Sequence, residues 1–353
     1  MKSYDIVEWG KPLQHAIRET PQPGPTEVLL RVSYCGVCHS DVHIREGYFD
    51  MGGGVKNVLA DRMKLPIVLG HEPVGVVAAI GSAVKGVKLG DTYLVNPWIG
   101  CGKCAACLQN HDNLCNEIAA LGVARPGGFA THLMVPHSRY LVDIQGIDPS
   151  RAAVLACSGV TAYSAAEKLG IPEDGQSIAV LGCGGVGLIG IAILKAMGHK
   201  NVIACDIDDA KLDAAKAVGA RHVLNLKIGG AAQLLAIAGG ALHGILDFVG
   251  APTTFALAVP TLKKGGRFVS IGMFGGAGTI PLVVLANREI SILGSATGTT
   301  QQIREVVELV RSGKLTLPPV QLRPLSRAED SLSDLQDGLV TGRIVLDAMA
   351  ETD

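Results

Sequence analysis

The stretch Ser177-Ile178-Ala179-Val180-Leu181-Gly182-Cys183-Gly184-Gly185-Val186-Gly187 carries the strongest fold signal in the chain. Its first five residues have the character of a buried strand, and the Gly-x-Gly-x-x-Gly run opens a predicted helix. The first glycine permits a tight turn, the second lets the backbone approach a pyrophosphate, and the third lets the helix pack on the strand. The run therefore predicts a dinucleotide site formed by Gly182, Gly184, Gly185, Val186 and Gly187.

An acidic residue in the next strand supports this prediction. Asp206 follows the apolar run Val202 to Cys205, about 20 residues beyond the glycines, where such folds place a ribose-binding carboxylate. A carboxylate at this point accepts hydrogen bonds from the adenosine ribose hydroxyls and repels a 2′-phosphate. We therefore expect NAD, rather than NADP, as the cofactor.

The surrounding sequence predicts a parallel sheet with helices on both faces. Apolar strands alternate with helical stretches from about Gly175 onward, which is typical of a doubly wound α/β fold. With the two strands named above, the pattern makes six strands and suits two nucleotide-binding halves. The four further strands are predicted at Val223 to Leu226, Ile245 to Val249, Arg267 to Ile271 and Ile290 to Leu293.

The first third of the chain has a different rhythm, in which short apolar runs alternate with Gly and Pro. This pattern predicts an antiparallel, barrel-like β domain. After Gly298 we expect a helix from Gln301 to Arg311 and a last strand from Arg343 to Asp347, which rejoins the first domain. The predicted strands of the first domain are Glu27 to Tyr34, Ile67 to Leu69, Val74 to Ile80, Thr92 to Val95 and Thr131 to Val135.

Four cysteines lie close together in a turn-rich segment: Cys101, Cys104, Cys107 and Cys115. Four thiolates at this spacing can complete a tetrahedral shell around zinc. A closed shell leaves no open coordination position, so this metal would stabilise a loop and perform no chemistry. Buried free cysteines are a poor alternative, because a polar, glycine-rich loop offers little apolar surface to cover sulfur.

A second set of potential ligands is scattered along the chain. Cys38 lies in Gly-Val-Cys-His-Ser-Asp, His71 in Gly-His-Glu, and Cys157 in Ala-Cys-Ser-Gly. Two thiolates and one imidazole would leave the fourth zinc position to water or substrate, as in catalytic sites. Taken singly, a buried cysteine or histidine is more often a packing residue than a ligand, and it is the joint context of the three that favours a metal site.

The composition narrows the class of protein. The 353 residues include 48% hydrophobic and 18% charged residues, which indicates a globular chain long enough for two domains. The net charge of -1 and the absence of a Lys/Arg block argue against nucleic acid as a partner. The N-terminal sequence lacks the apolar core of a signal peptide, and no later apolar stretch suits a membrane span, so we expect a cytoplasmic protein.

Together these motifs resemble the zinc-containing medium-chain alcohol dehydrogenases along nearly the whole chain. The resemblance implies an N-terminal antiparallel β (GroES-like) catalytic domain and a Rossmann-type NAD-binding domain. The implied bounds are 1–158 for the catalytic domain with its metal lobe at about 96–116, 159–296 for the NAD-binding domain, and 297–353 for a C-terminal segment completing the first.

The resemblance also implies roles for individual residues. Cys38, His71 and Cys157 would hold a catalytic zinc, with Glu72 as a transient ligand and Asp41 orienting His71. Ser40 and His43 would relay the proton, and Trp98 would line the substrate pocket beside Met273 and Phe274. The implied cofactor contacts are Lys211 at the ribose and His39 and Arg343 at the phosphates.

The implied activity is NAD-dependent oxidation of alcohols to aldehydes or ketones, and the reverse, by hydride transfer from a zinc-bound alkoxide. Two zinc ions per subunit, a small-molecule substrate and a homo-oligomer, tetramer or dimer, complete the expectation. Three alternatives stay open: a polyol or diol dehydrogenase of the same superfamily, a non-catalytic zinc-braced NAD-binding module, and a cysteine-rich nucleic-acid binder.

Overall fold

The computed structural model describes residues 1–61, 63–170 and 175–350. The last three residues of the predicted C-terminal segment, 351–353, lie outside this part. The strands are β1 Lys2–Ile6, β2 Gln14–Ile17, β3 Val28–Gly36, β4 Tyr48–Gly52, β5 Val55–Val58, β6 Ile67–Val68, β7 Glu72–Ile80, β8 Thr92–Val95, β9 His132–Val135, β10 Leu141–Asp143, β11 Ile178–Leu181, β12 Val202–Asp206, β13 His222–Asn225, β14 Leu242–Asp247, β15 Leu262–Ser270, β16 Ser291–Gly294, β17 Val320–Pro324 and β18 Arg343–Asp347.

The helices alternate with strands most regularly in the second half of the chain. The α-helices are α1 His39–Glu46, α2 Ala105–Leu108, α3 Pro149–Ala152, α4 Ser158–Leu169, α5 Gly185–Ala196, α6 Asp209–Val218, α7 Ala231–Ala238, α8 Pro252–Thr261, α9 Leu282–Arg288, α10 Thr300–Arg311 and α11 Ala328–Gln336. Short 3-10 helices occur at Leu59–Asp61, Asp112–Leu114, Ser138–Tyr140, Ala153–Ala156 and Leu325–Arg327.

A six-stranded parallel sheet forms the second half, in the order β13-β12-β11-β14-β15-β16. If β11 to β16 are renumbered 1 to 6 in chain order, the strand order is 3-2-1-4-5-6, which is typical of two mononucleotide-binding halves. The predicted Rossmann-type fold class is confirmed, and each strand lies within a few residues of its predicted position. The main difference is β15, which begins at Leu262 rather than Arg267.

The first half is built on antiparallel strands. The long strand β3 pairs with β7 from Val28↔Ile80 to Gly36↔Glu72, and its other side pairs with β9. The C-terminal strand β18 also pairs with β3, antiparallel, with Val345 opposite Gly36. β17 and β18 run parallel to each other, which departs from the all-antiparallel expectation because helix α11 connects them as a crossover.

The antiparallel hairpin of β4 and β5 is not among the strands predicted for the first domain. Its tip lies against the loop after β15, because a Cβ on Gly52 would come within 2.6 Å of the Gly276 carbonyl carbon. A Cβ on Gly275 would in turn lie 2.7 Å from Asp50 Cβ. The two halves therefore touch here backbone to backbone, across the cleft between the sheets.

A shared hydrophobic core joins the two halves. One cluster contains Val74 and Leu94 from the antiparallel sheet together with Val180 and Leu246 from the parallel sheet. Helix α4 contributes Val160 and Leu169 to the same cluster. The two halves are therefore packed against each other through one continuous cluster of buried side chains. Among the described residues, no helix combines the length and apolar character needed to cross a bilayer.

Replacing Leu346 by alanine should destabilise the first half by about 2–5 kcal/mol, the usual range for a buried Leu→Ala change. Leu346 is fully buried in β18. This strand lies between β3, from the N-terminal part of the chain, and β17, from the C-terminal part. The matched control is Leu322→Ala on the neighbouring strand β17, where the side chain is 52% exposed. Both tryptophans, Trp9 and Trp98, lie in the first half, so urea unfolding followed by tryptophan fluorescence reports its stability. Equal midpoints for the two variants would contradict the burial assigned to Leu346.

Candidate active site and metal centres

Four buried side chains converge where the two halves meet. Donor atoms of Cys38, His71, Glu72 and Cys157 all lie within 4.8 Å of one another. Each lies at the beginning of an element: Cys38 precedes α1, His71 precedes β7, and Cys157 precedes α4. The residues that appeared scattered in the sequence therefore form one group, and it is chemically suited to a metal ion.

Asp41 connects two of these residues. Its Oδ2 accepts a hydrogen bond from the Cys38 backbone N–H at 3.0 Å, which caps helix α1, and its Oδ1 lies 3.0 Å from His71 Nδ1. Asp41 is fully buried, so this carboxylate is well placed to hold the imidazole in one orientation.

The His71 ring offers its other nitrogen to a metal. Nε2 is buried and has no hydrogen-bond partner within the described part of the chain, as expected for an atom that donates a lone pair to an ion. The Trp98 ring lies 5.8 Å from the His71 ring, centroid to centroid, so Trp98 borders this site. The donor set and the orphaned nitrogen together fit zinc.

The neighbouring thiols favour ionisation of one sulfur. A hydrogen bond from Cys157 lowers the pKa of Cys38 well below its usual value, although burial opposes this effect and His71 adds to it. The thiolate is the form that binds a metal.

Glu72 is buried beside the same group. Its Oε1 accepts a hydrogen bond from Ser158 Oγ at 3.2 Å, and its Oε2 forms an ion pair with Arg343. Burial raises the pKa of Glu72 to about 7, and Arg343 opposes the rise. Ser158 was not among the predicted site residues, and its position directly after Cys157 is the only feature of the sequence that could have indicated it.

Arg343 contacts both the glycine run and the group of Cys38, His71, Glu72 and Cys157, called the metal group below. A Cβ on Gly185 would lie 2.3 Å from Arg343 Cδ, so the arginine packs directly on the loop while pairing with Glu72. Its Nε is buried and has no hydrogen-bond partner among the described residues. Val37, His39, Gly185, Val186, Gly342 and Arg343 line one small cavity.

The glycine run has the geometry that the motif requires. Gly182 has φ +88°, and a Cβ on Gly187 would lie 1.9 Å from the Gly182 oxygen. A Cβ on Gly184 would meet no protein atom within 4 Å, which leaves space for a ligand against its backbone. The loop therefore makes the tight turn, the open approach and the close helix packing that the three glycines predict.

Asp206 lies at the end of β12 beside this loop. Its carboxylate accepts hydrogen bonds from the backbone N–H groups of Cys183 at 2.6 Å, Ile207 at 2.7 Å and Asp208 at 3.1 Å. These bonds fix its orientation. Lys211 follows in the first turn of α6 and is close enough to influence the pKa of both His39 and Cys183.

The remaining predicted residues lie on α1. Ser40 and His43 belong to the helix that Cys38 caps, and the His43 ring packs 5.1 Å from Phe49. Burial lowers the pKa of His43, whereas Cys38 and Glu46 raise it to a lesser extent. Desolvation likewise lowers the pKa of His39. The positive charges of His43, Arg343 and Lys211 lower this pKa further, whereas Cys38 raises it.

The second metal group occupies a separate lobe around α2. Measured between sulfurs, Cys104 lies 3.5 Å from Cys107 and 3.8 Å from Cys115, and Cys101 lies 4.0 Å from Cys107. A tetrahedral shell with zinc–sulfur bonds of about 2.3 Å has sulfurs about 3.8 Å apart. All four thiols are free, and their spacing suits an ion rather than disulfides.

The predicted pocket walls after β15, Met273 and Phe274, are more exposed to solvent than Trp98. Met273 is 52% exposed and Phe274 is 74% exposed, whereas Trp98 is half-buried. Met273 and Phe274 are therefore largely open to solvent, and their role as pocket walls stays a prediction.

Comparisons with known proteins agree with this geometry. Residues 24–146 match the alcohol dehydrogenase GroES-like domain, and residues 185–312 match the zinc-binding dehydrogenase family. An NAD-dependent alcohol dehydrogenase of Sulfurisphaera tokodaii is 32% identical over 349 residues, which cover 98% of this chain and 99% of that protein.

Solved structures are similar over the same length. The alcohol dehydrogenase of Aeropyrum pernix has a TM-score of 0.89 at 30% identity, covering 98% of this chain and 100% of that chain. A thermostable alcohol dehydrogenase of Pyrobaculum aerophilum, with cobalt and zinc bound, has a TM-score of 0.84 at 27% identity, covering 98% and 99%. The chain therefore belongs to the zinc-containing medium-chain alcohol dehydrogenase family.

Proposed function

We propose that this protein oxidises alcohols to aldehydes or ketones with NAD, and catalyses the reverse reduction, at the group formed by Cys38, His71 and Cys157. The observation that carries the proposal is the position of Arg343, which pairs with Glu72 of the metal group and packs on Gly185 of the glycine run. Hydride transfer requires the cofactor and the reacting carbon in contact. A single side chain that touches both sites supports that arrangement.

Zinc, when bound, supplies a Lewis acid that makes a coordinated alcohol acidic near neutral pH. Cys38, His71 and Cys157 would hold it and leave one position for the substrate. Asp41 fixes the orientation of His71, and Glu72 lies close enough to exchange with the substrate as a fourth ligand. Trp98 limits the space on one side of the substrate.

The proton and the hydride leave in different directions. NAD, when bound at the glycine run, would supply the acceptor for the hydride of the alcohol carbon at C4 of its nicotinamide. The alcohol proton passes through the Ser40 hydroxyl towards His43, which releases it to solvent. Burial lowers the pKa of His43, so its imidazole is neutral near pH 7 and able to accept a proton.

We assign the nicotinamide cofactor as NAD and expect Gly182, Gly184, Gly185, Val186 and Gly187 to contact its pyrophosphate. The fixed carboxylate of Asp206 supports this choice, because a rigid negative charge disfavours a 2′-phosphate. Lys211 would contact the ribose, while His39 and Arg343 would contact the phosphates.

We further propose a second zinc in the lobe of Cys101, Cys104, Cys107 and Cys115. The sulfur spacing supports a closed shell, and such a metal stabilises the lobe without taking part in the reaction.

A homo-oligomer is supported by an exposed edge of the parallel sheet. Strand β16 ends the sheet, and Leu282 and Val283 on the adjacent helix α9 are 77% and 70% exposed. Such apolar surface beside an unpaired edge strand favours association with a second copy. We also propose a cytoplasmic location, where the thiols of the two candidate metal sites would stay reduced and able to bind metal.

Cys38→Ala should remove the catalytic metal and abolish alcohol oxidation, while NADH still binds because the glycine run is untouched. Metal content, turnover and NADH fluorescence measure the three properties. Cys35→Ala is the matched control, since Cys35 is equally buried but belongs to neither metal group. Normal turnover by the Cys38 variant would refute the proposed site.

Asp206→Ala should relax the preference for NAD over NADP, because it removes the charge that opposes a 2′-phosphate. The test compares kcat/KM for the two cofactors. Asp213→Ala is the control. Asp213 is an exposed carboxylate on α6, the helix that follows β12, and it pairs with Lys216. An unchanged preference in the Asp206 variant would mean that another residue sets it.

Alcohol oxidation should lose rate as the pH falls through the pKa of His43, because an imidazolium cannot accept the proton. Burial lowers this pKa from 6.5, so the midpoint of the loss should lie below that pH. His43→Gln should remove this limb of the pH profile and lower kcat by about 100-fold at neutral pH. A profile identical in the two enzymes would exclude His43 from the relay.

A further inference from the structure

The segment Ser295–Thr300 carries the chain from the parallel sheet back towards the first half. It follows β16, which runs parallel to β11 and β12. The carboxyl ends of parallel strands share one edge, so this crossover segment begins at the same edge as Gly182 and Asp206. It therefore lies on the side of the sheet at which the proposed cofactor would bind.

Thr297 has an unusual backbone conformation within this segment. Its φ is +49°, in the left-handed region that β-branched residues rarely adopt. Such a conformation persists only where surrounding groups hold it in place.

The four-cysteine lobe supplies one of these groups. Asn113, which lies between Cys107 and Cys115, donates a hydrogen bond from Nδ2 to the Ala296 carbonyl at 3.0 Å. That carbonyl belongs to the peptide group immediately before Thr297. Because φ of Thr297 describes rotation against this peptide, fixing the carbonyl restrains the strained angle directly.

A second contact comes from the base of the lobe. Asn96 is fully buried and donates from Nδ2 to Thr300 Oγ1 at 2.6 Å, while its Oδ1 accepts from the Trp98 backbone N–H at 3.1 Å. Gly298 lies between these two contacts, where a Cβ would come within 2.5 Å of Val160 on α4. The crossover segment is thus held from the lobe at two points and packed closely between them.

We propose that Asn113 is a positioning residue, through which the four-cysteine lobe holds the crossover segment in the conformation that binds the cofactor. The lobe contributes to NADH affinity through the Ala296 carbonyl, although it lies outside the glycine run. This inference rests on the proposed NAD site.

The first test is Asn113→Ala in the metal-loaded enzyme. Loss of one hydrogen bond should raise the NADH dissociation constant by about 2- to 10-fold. Titration of NADH fluorescence measures it, and metal analysis verifies that the lobe still holds its zinc. An unchanged dissociation constant with full metal content would overturn the proposal.

The second test separates positioning from general weakening of the lobe. In the Asn113→Ala background, Thr297→Gly should restore NADH affinity, because glycine adopts positive φ without a steric penalty. Thr297→Ala is the matched control: it removes the same side-chain atoms beyond Cβ but keeps the penalty, so it should not restore affinity. Equal behaviour of the two double variants would overturn the proposal.

The outcome also distinguishes this inference from the proposed function. If the unsubstituted protein binds NADH and oxidises alcohols while Asn113→Ala binds NADH equally well, only the positioning role fails. If the unsubstituted, metal-loaded protein binds no NADH, both are overturned.

Discussion

The buried ion pair between Glu72 and Arg343 is the interaction on which the site depends. Both side chains are almost fully shielded from water, and removing one partner from such a pair commonly costs about 3–5 kcal/mol because a buried charge is left behind. Glu72 begins β7, while Arg343 begins β18, and both strands flank β3. The pair therefore joins the metal group, the C-terminal strand and the glycine run in one contact.

The two proposed metal sites make different demands on the fold. The ligands of the lobe lie within one short segment, so a metal can organise that segment locally. Cys38, His71 and Cys157 are far apart in sequence and meet only after β3, β7 and α4 have packed. Asp41 reinforces the second arrangement, since it binds the backbone of one ligand and the side chain of another.

Local patterns made much of this structure predictable. The glycine run, the alternation of strands and helices, and the cysteine spacing each reflect neighbours in sequence, and they indicated the parallel sheet and the four-cysteine group. The set of Cys38, His71 and Cys157 was implied by the resemblance to a known family, not by spacing. Contacts between distant residues were not visible in this way: Arg343 was expected at a phosphate, and its pairing with Glu72 depends on the register of β3 with β7 and β18. The β4–β5 hairpin was missed because its strands are short and exposed and lack a clear alternation. The left-handed Thr297 gave no signal, since its residue type argues against that conformation.

The pairing of β18 with β3 has a consequence for synthesis of the protein. The parallel sheet, from β11 to β16, is continuous in sequence and can fold as soon as it has left the ribosome. The last three residues of β3, from Tyr34 to Gly36, wait for a partner that is translated more than three hundred residues later. The N-terminal half is thus translated first but completed last, and until then it carries an open strand edge that other nascent chains can bind.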